Sequence, residues 1–268
     1  MAIFLTFLDF PESEARVFKK FYEGVDYRAS AQVGYPWFGI LDGHLGYGYI
    51  FWGQKITPPT KFKDVKYGYF RPHVRYLTAG IINRLEARMD VYPISFFGIT
   101  FGQIFSHSAI HLLGDSSQKT GLDCNSIQCG GLLFRSFLEA KLKGGYDDYF
   151  GVLFWRWDFL VNSGSKSKGF ADFSSSLTGG GRSDILVTQW IKLARKLPKN
   201  WAVGIHLQHN HMTQTRQHAY EEQIFGNFSF LPDWSLGLGL KAMQTPTRKF
   251  EMGVGFQLNW NGKTSVEL

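Results

Sequence analysis

The chain has 268 residues, of which 44% are hydrophobic, 17% aromatic and 30 glycine, and its formal net charge is +7. It contains no apolar run of eighteen or more residues, which excludes membrane-spanning helices. The basic balance admits an acidic ligand, an anionic membrane surface or nucleic acid, but no zinc-ligand spacing, helix-turn-helix signal or dense Lys/Arg run supports the last, and no nucleic-acid partner is expected.

Residues 1–10 read as a strand or an extended tail. Pro11 to Gly24 then carries the signals of one short helix: proline in the first turn, acids after it, lysines late and glycine at the end. Phe18, Phe21 and Tyr22 share a face of that helix. Residues 1–27 are therefore expected to form a cap or plug beside the main domain, which spans 28–260, with 261–268 as a tail.

From Arg28 onward the dominant signal is alternation with a period of two. Strands are expected at about Ala29–Gly39, His44–Trp52, Tyr67–Thr78, Asn83–Tyr92, Ile94–Ser106, Leu132–Lys143, Tyr149–Val161, Asp184–Lys196, Trp201–Met212, Glu221–Leu231, Asp233–Met243 and Lys249–Trp260. The last two are the clearest. Trp234, Leu236, Leu238 and Leu240 alternate with Ser235, Gly237, Gly239 and Lys241, and Phe250 to Trp260 repeats the rule. Asp184–Lys196 alternates least clearly, and Pro72 inside the third strand argues against a central position there.

These runs hold their alternation for ten or more residues, where strands of soluble proteins average about 5–6 and a strand crossing a bilayer needs about 9–11. The pattern predicts an all-β, transmembrane, antiparallel up-and-down β-barrel of about twelve strands with a short N-terminal helix. Connections agree. Asp90–Pro93, Leu197–Asn200 and Leu231–Trp234 are short and fall at even-to-odd junctions, whereas the long polar stretches Ser106–Gly131 and Asn162–Ser183 fall at odd-to-even junctions. Gln54–Val65 is long on the short-turn side and fits less well. Aromatic residues mark both ends: Tyr92, Trp201, Trp234 and Trp260 at one, Trp37, Tyr76, Trp157 and Phe159 at the other.

By this architecture the chain resembles Gram-negative outer-membrane β-barrel proteins across about residues 28–260. The resemblance implies location in the bacterial outer membrane and contact with its lipids and lipopolysaccharide. Residues 1–10 show no basic leader or small-residue cleavage site, so a chain whose signal peptide has been removed is expected. Such proteins often end in an aromatic residue; here Trp260 is followed by eight further residues. Cys124 and Cys129, in a polar loop, are expected to form a disulfide in an oxidising compartment.

Charge on a lipid-facing position costs roughly 2–4 kcal/mol per basic residue at the midplane, so charged residues of these strands must point inward. Arg71, His73, Arg75, Arg84, Glu86, Arg88, Asp90, Arg135, Glu139, Lys141, Arg156 and Asp158 are thus expected in the lumen, with cations in excess. Arginine suits carboxylate and phosphate groups. The leading expectation is a porin-like channel for small anionic solutes, and the alternative is an interlocked ionic network that closes the barrel, leaving an adhesive or structural role to the loops. A second alternative places a lipid hydrolase at the external rim, where Ser108 with His107 or His209 could supply a nucleophile and its base. His209 and His211 also share a face suited to a metal, although no metal or cofactor is expected.

Overall fold

A strand that alternates apolar and polar residues can bury only one face, so twelve such strands must stack as two sheets or close as one. The computed structural model shows closure; it describes residues 24–35, 38–53, 68–109, 131–163, 169–172, 174–231, 233–246 and 248–261. In chain order the strands are β1 (Gly24–Tyr35), β2 (Phe38–Trp52), β3 (Gly68–Thr78), β4 (Ile82–Ile94), β5 (Phe97–Ser108), β6 (Gly131–Tyr146), β7 (Tyr149–Asn162), β8 (Gly169–Asp172), β9 (Leu177–Gly180), β10 (Ser183–Leu197), β11 (Trp201–Met212), β12 (Gln217–Leu231), β13 (Trp234–Thr245) and β14 (Arg248–Asn261). Strands β8 and β9 pair only with each other. The other twelve form one antiparallel barrel, in which β7 pairs β10 and the ring closes where β1 pairs β14, from Arg28↔Asn261 to Tyr35↔Val254.

Exposure follows the alternation. In β13, Trp234, Leu236, Leu238 and Leu240 are exposed, whereas Ser235, Gly237, Gly239 and Lys241 are buried. Leu41, Leu45, Val74, Leu85, Phe101, Leu138, Leu193, Ile205, Ile224 and Phe256 continue this outer apolar surface round the ring. A band of this extent has no place against water and is the surface that lipid covers. Among the described residues no helix is long and apolar enough to cross a membrane.

The short connections 95–96, 147–148 and 198–200 lie at one end of the barrel, the turn end, and Ser108, Gly131, Asn162 and Ser183, where strands flank the long connections, lie at the other, the loop end. Trp52, Trp201, Trp234 and Trp260 ring the turn end on the outer surface, where Trp201 stacks on Phe228 at 4.8 Å. Tyr76, Trp157 and Phe159 lie toward the loop end. Tyr92 is not part of the belt expected from sequence. It shares the parity of Glu86 and Asp90, so it points inward, 5% exposed, with Lys143 Nζ 4.3 Å above its ring. Gly98 makes that possible, because a Cβ there would lie 2.3 Å from the Tyr92 ring.

Two further expectations change. Pro72 does lie in a barrel strand, paired with Met89; on its other side the β2–β3 ladder runs to Gly46↔His73 and resumes at Tyr49↔Phe70, so the missing N–H falls at a gap. Strand β10, whose alternation is weak, is in register with both neighbours, from Ser183↔Val161 and from Leu186↔Met212. The barrel starts at Gly24 and ends at Asn261, wider than 28–260. The helix expected over Pro11–Gly24, apart from Gly24 itself, together with Trp37, the whole of Gln54–Val65, the Cys124–Cys129 disulfide and the tail beyond Asn261, lies outside the described residues.

Close packing of the inner wall fixes some glycines. At Gly204 a Cβ would fall 2.4 Å from the Leu193 carbonyl oxygen and 2.5 Å from the Phe225 ring, whereas at Gly226 it would meet nothing within 4 Å. Gly204→Ala should therefore lose about 1–3 kcal/mol of stability while Gly226→Ala stays near wild type; urea unfolding of detergent-folded protein measures both, and equal midpoints would contradict the packing.

Candidate functional site

The inner wall is built by the buried parity of each strand. Arg71, His73 and Arg75 come from β3; Arg84, Glu86, Arg88 and Asp90 from β4; Arg135, Glu139 and Lys141 from β6; Arg156 and Asp158 from β7. All twelve residues expected in the lumen take that parity. The reading from sequence missed their acidic partners. Arg71 donates to both carboxylate oxygens of Asp26 at 2.9 Å and also touches His44. Arg75 binds Asp42 at 2.9 and 3.0 Å, and Arg28 reaches the same carboxylate at 3.4 Å. Arg135 pairs with Asp172 of β8 and donates to Ser174 Oγ at 2.7 Å.

The remaining pairs lie within the expected set. Arg84 and Arg88 grip opposite oxygens of Glu86. Lys141 Nζ lies 2.5 Å from Glu139, Arg156 lies 3.6 Å from Glu139 and 2.6 Å from Asp158. Asp90 accepts from Thr100 Oγ1 at 2.5 Å and faces His73 Nε2 at 3.2 Å. The excess of cations seen in sequence is thus largely neutralised by Asp26, Asp42 and Asp172.

Pairing leaves the two signs unequally covered. Side-chain exposure is 17% at Arg75, 13% at Arg84, 14% at Arg88 and 19% at Lys141, but 2% at Asp42, 0% at Glu86 and 1% at Glu139. The bases also lie on aromatic faces that the inner wall supplies. Arg156 sits 4.0 Å and Arg88 5.3 Å from the Phe137 ring centre, and Lys192 lies 5.1 Å from that of Phe225. Phe154 stacks on Trp190 at 4.6 Å, and His206 meets Trp190 edge-on. The opposite wall is different: Ser30, Gln32, Asn227, Ser235, Gln257 and Asn259 are buried there beside Gly237, Gly239 and Gly255.

The long polar stretch between β7 and β10 hides a device that sequence did not reveal. Its hairpin β8–β9 folds inward. Phe170 and Leu177, 2% and 0% exposed, join Leu160, Leu186, Met212 and Ala219 of the inner wall in one apolar cluster. Thr178 N–H donates to Gln217 Oε1 at 2.9 Å, Thr215 Oγ1 donates to the Thr178 carbonyl at 2.8 Å, and Gly180 N–H donates to Asp184. With the Arg135–Asp172 pair, these contacts hold the hairpin across part of the loop-end mouth.

The rim residues considered for hydrolysis are spread apart. Ser108 has the inward parity of Thr100 and Ile104, while His107 is on the outer face of the same strand. His209 is on the outer face of β11, four strands round the ring from β5.

A scan against protein-family models and a search of curated proteins both return no match. A search of solved structures returns outer-membrane barrels. A bacterial polysaccharide outer membrane secretin aligns at TM-score 0.48 with 8% identity over 90% of this chain and 99% of that one. The NanC porin aligns at 0.45 with 9% identity, over 90% and 100% of the two chains, and the KdgM porin at 0.41 with 14% identity, over 87% and 96%.

Breaking a buried pair from one side strands its partner. Asp26→Ala leaves Arg71 with only the 3.7 Å contact to Asp90 among its described carboxylate pairs, and should cost about 3–5 kcal/mol. Replacing both Asp26 and Arg71 by Leu and Met should recover a large part of that loss. Urea midpoints of the single and double variants test this; a double variant that loses as much as the single one would contradict it.

Proposed function

We propose that this chain is an outer-membrane channel that passes small anionic solutes through a narrow lumen. One observation carries the reading: Asp42, Glu86 and Glu139 are covered while their partners Arg75, Arg84, Arg88 and Lys141 keep accessible surface. A solute in the lumen therefore meets guanidinium and ammonium groups, and the acids beneath serve to hold those groups in place. Arginine presents several donors in a fixed plane, which matches carboxylate and phosphate. Glu86 held between two arginines leaves a net positive point on the wall.

The inward hairpin favours a second reading, in which the resting barrel is closed and β8–β9 is its stopper. Phe170 and Leu177 leave almost no accessible surface, and the ion pair to Arg135 fixes the hairpin on the wall.

Planar-bilayer recordings separate the two. Wild type should give steady, anion-preferring conductance, and Arg75→Ala with Arg84→Ala and Arg88→Ala should bring the anion-to-cation permeability ratio to one or below. The corresponding lysine variants, which keep the charge, should retain the preference; an unchanged ratio in the alanine variant would remove the arginines from the mechanism. Replacing 169–180 by a short Gly–Ser link should raise conductance several-fold. Current that appears only after this replacement identifies the stopper.

A further inference from the structure

The outer surface of β11 and β12 carries a polar cluster that the lumen does not use. His209 and His211 lie on the lipid-facing parity of β11, and His218 and Tyr220 on that of β12, with His211↔His218 and His209↔Tyr220 as cross-strand pairs. The rings form a stack. Centroids are 4.3 Å apart for His211 and His218, 5.2 Å for His209 and His218, and 4.7 Å for His209 and Tyr220, with the imidazole planes within 3° of parallel. His209 Nε2 and His218 Nδ1 are 3.0 Å apart, so one donates and the other accepts.

The height of the cluster fixes its surroundings. His209 to His211 stand eight to ten residues above Trp201 of the turn-end girdle, a climb of about 20–25 Å at about 3.3 Å per residue and a tilt near 40°. The apolar band of such barrels is about 25 Å tall, so the cluster meets the headgroups of the other leaflet. Exposed Arg182 and Arg216 lie in the loop-end turns next to it in the chain order of β10 and β12.

We propose that this cluster binds a phosphate of an outer-leaflet lipid headgroup. The inference requires a barrel standing in a bilayer, and is independent of what passes through the lumen. Among the described residues no group of three His, Cys, Asp or Glu is arranged to hold a metal ion. A phosphate differs because it offers several oxygens at once and accepts from several parallel N–H edges. With one N···N contact already made inside the cluster, further ring nitrogens and the Tyr220 hydroxyl are left to face the headgroup layer. Protonating the imidazoles adds charge, so binding strengthens as pH falls. The neighbouring outward positions are Val187 and Gln189 on β10, Glu222 on β12, and Ala242 and Gln244 on β13, of which only Glu222 is an acid.

Native mass spectrometry of detergent-folded protein with bis-phosphorylated or dephosphorylated lipid A tests the proposal. The phosphorylated lipid should bind at least tenfold more tightly, with the ratio larger at pH 6 than at pH 8. His209→Ala with His211→Ala and His218→Ala should bring the ratio close to one while circular dichroism still reports a folded barrel; these outward positions leave the inner wall intact. Inorganic phosphate at millimolar concentration should compete only weakly with the lipid. An unchanged ratio in the triple variant would overturn the proposal, and so would inorganic phosphate that binds as well as the lipid, since the site would then serve a free anion. Channel recordings on the same variant should match wild type, which separates failure of this site from failure of the channel reading.

Discussion

Closure is the constraint from which the rest follows. In hydrocarbon an unpaired backbone N–H or C=O costs several kcal/mol, so a sheet can stand in a bilayer only if it has no edge. Pairing of β1 with β14 removes the last edges. Once the ring is closed, every side chain must face either lipid or lumen, and the strict alternation of Trp234 to Lys241 becomes an assignment of each residue to one of the two. The inner wall is then where most strand charge must go, Glu222 on the outer face of β12 being an exception. The ionic network of β1 to β7 is a consequence of that confinement as much as a device for function.

Confinement also explains how the charges are arranged. Buried ions are tolerated when paired and hydrogen-bonded, and several pairs here cross between strands: Arg71 of β3 reaches over β2 to Asp26 of β1, while Arg75 with Asp42 and Arg156 with Glu139 join neighbouring strands. Long basic side chains reach over short acidic ones and over the faces of Phe137 and Phe225. At Asp42, Glu86 and Glu139 the acid ends up beneath and the base above. A lumen that is close to neutral in total can thereby present a cationic surface to whatever enters it. The hairpin β8–β9 adds an apolar anchor and one more ion pair, and it narrows the side of the mouth where the wall is richest in aromatic residues.

Much of this was legible in the sequence because lipid leaves so little freedom. The strand count, the side to which each charge points and the split between short and long connections all follow from a period of two and a fixed bilayer thickness. What escaped has physical reasons. Asp26, Arg28 and Asp42 fall outside the expected strands because the first of these begins five residues late, running past Tyr35, and the second begins six residues late, although Asp26, Arg28, Ser30 and Gln32 already alternate with Val25, Tyr27, Ala29 and Ala31. Tyr92 was read as a belt residue from its chemistry, and its parity decides otherwise. Strand β10 alternates poorly because Leu186, Trp190 and Ala194 place apolar side chains on the inner face as well. The hairpin β8–β9 was hidden because Phe170 and Leu177 lie in a stretch rich in Gly, Ser and Lys with no sustained alternation, and the wall behind them gives them a core.

The central claim is that the covered carboxylates and accessible bases of the inner wall make a path for anions. Its most direct test is the reversal potential of the unmodified barrel in a planar bilayer under a tenfold potassium chloride gradient. The account predicts discrete conductance steps whose reversal potential lies on the chloride side of zero. A potential on the potassium side would contradict it, because the acids would then have to govern passage despite lying beneath the arginines.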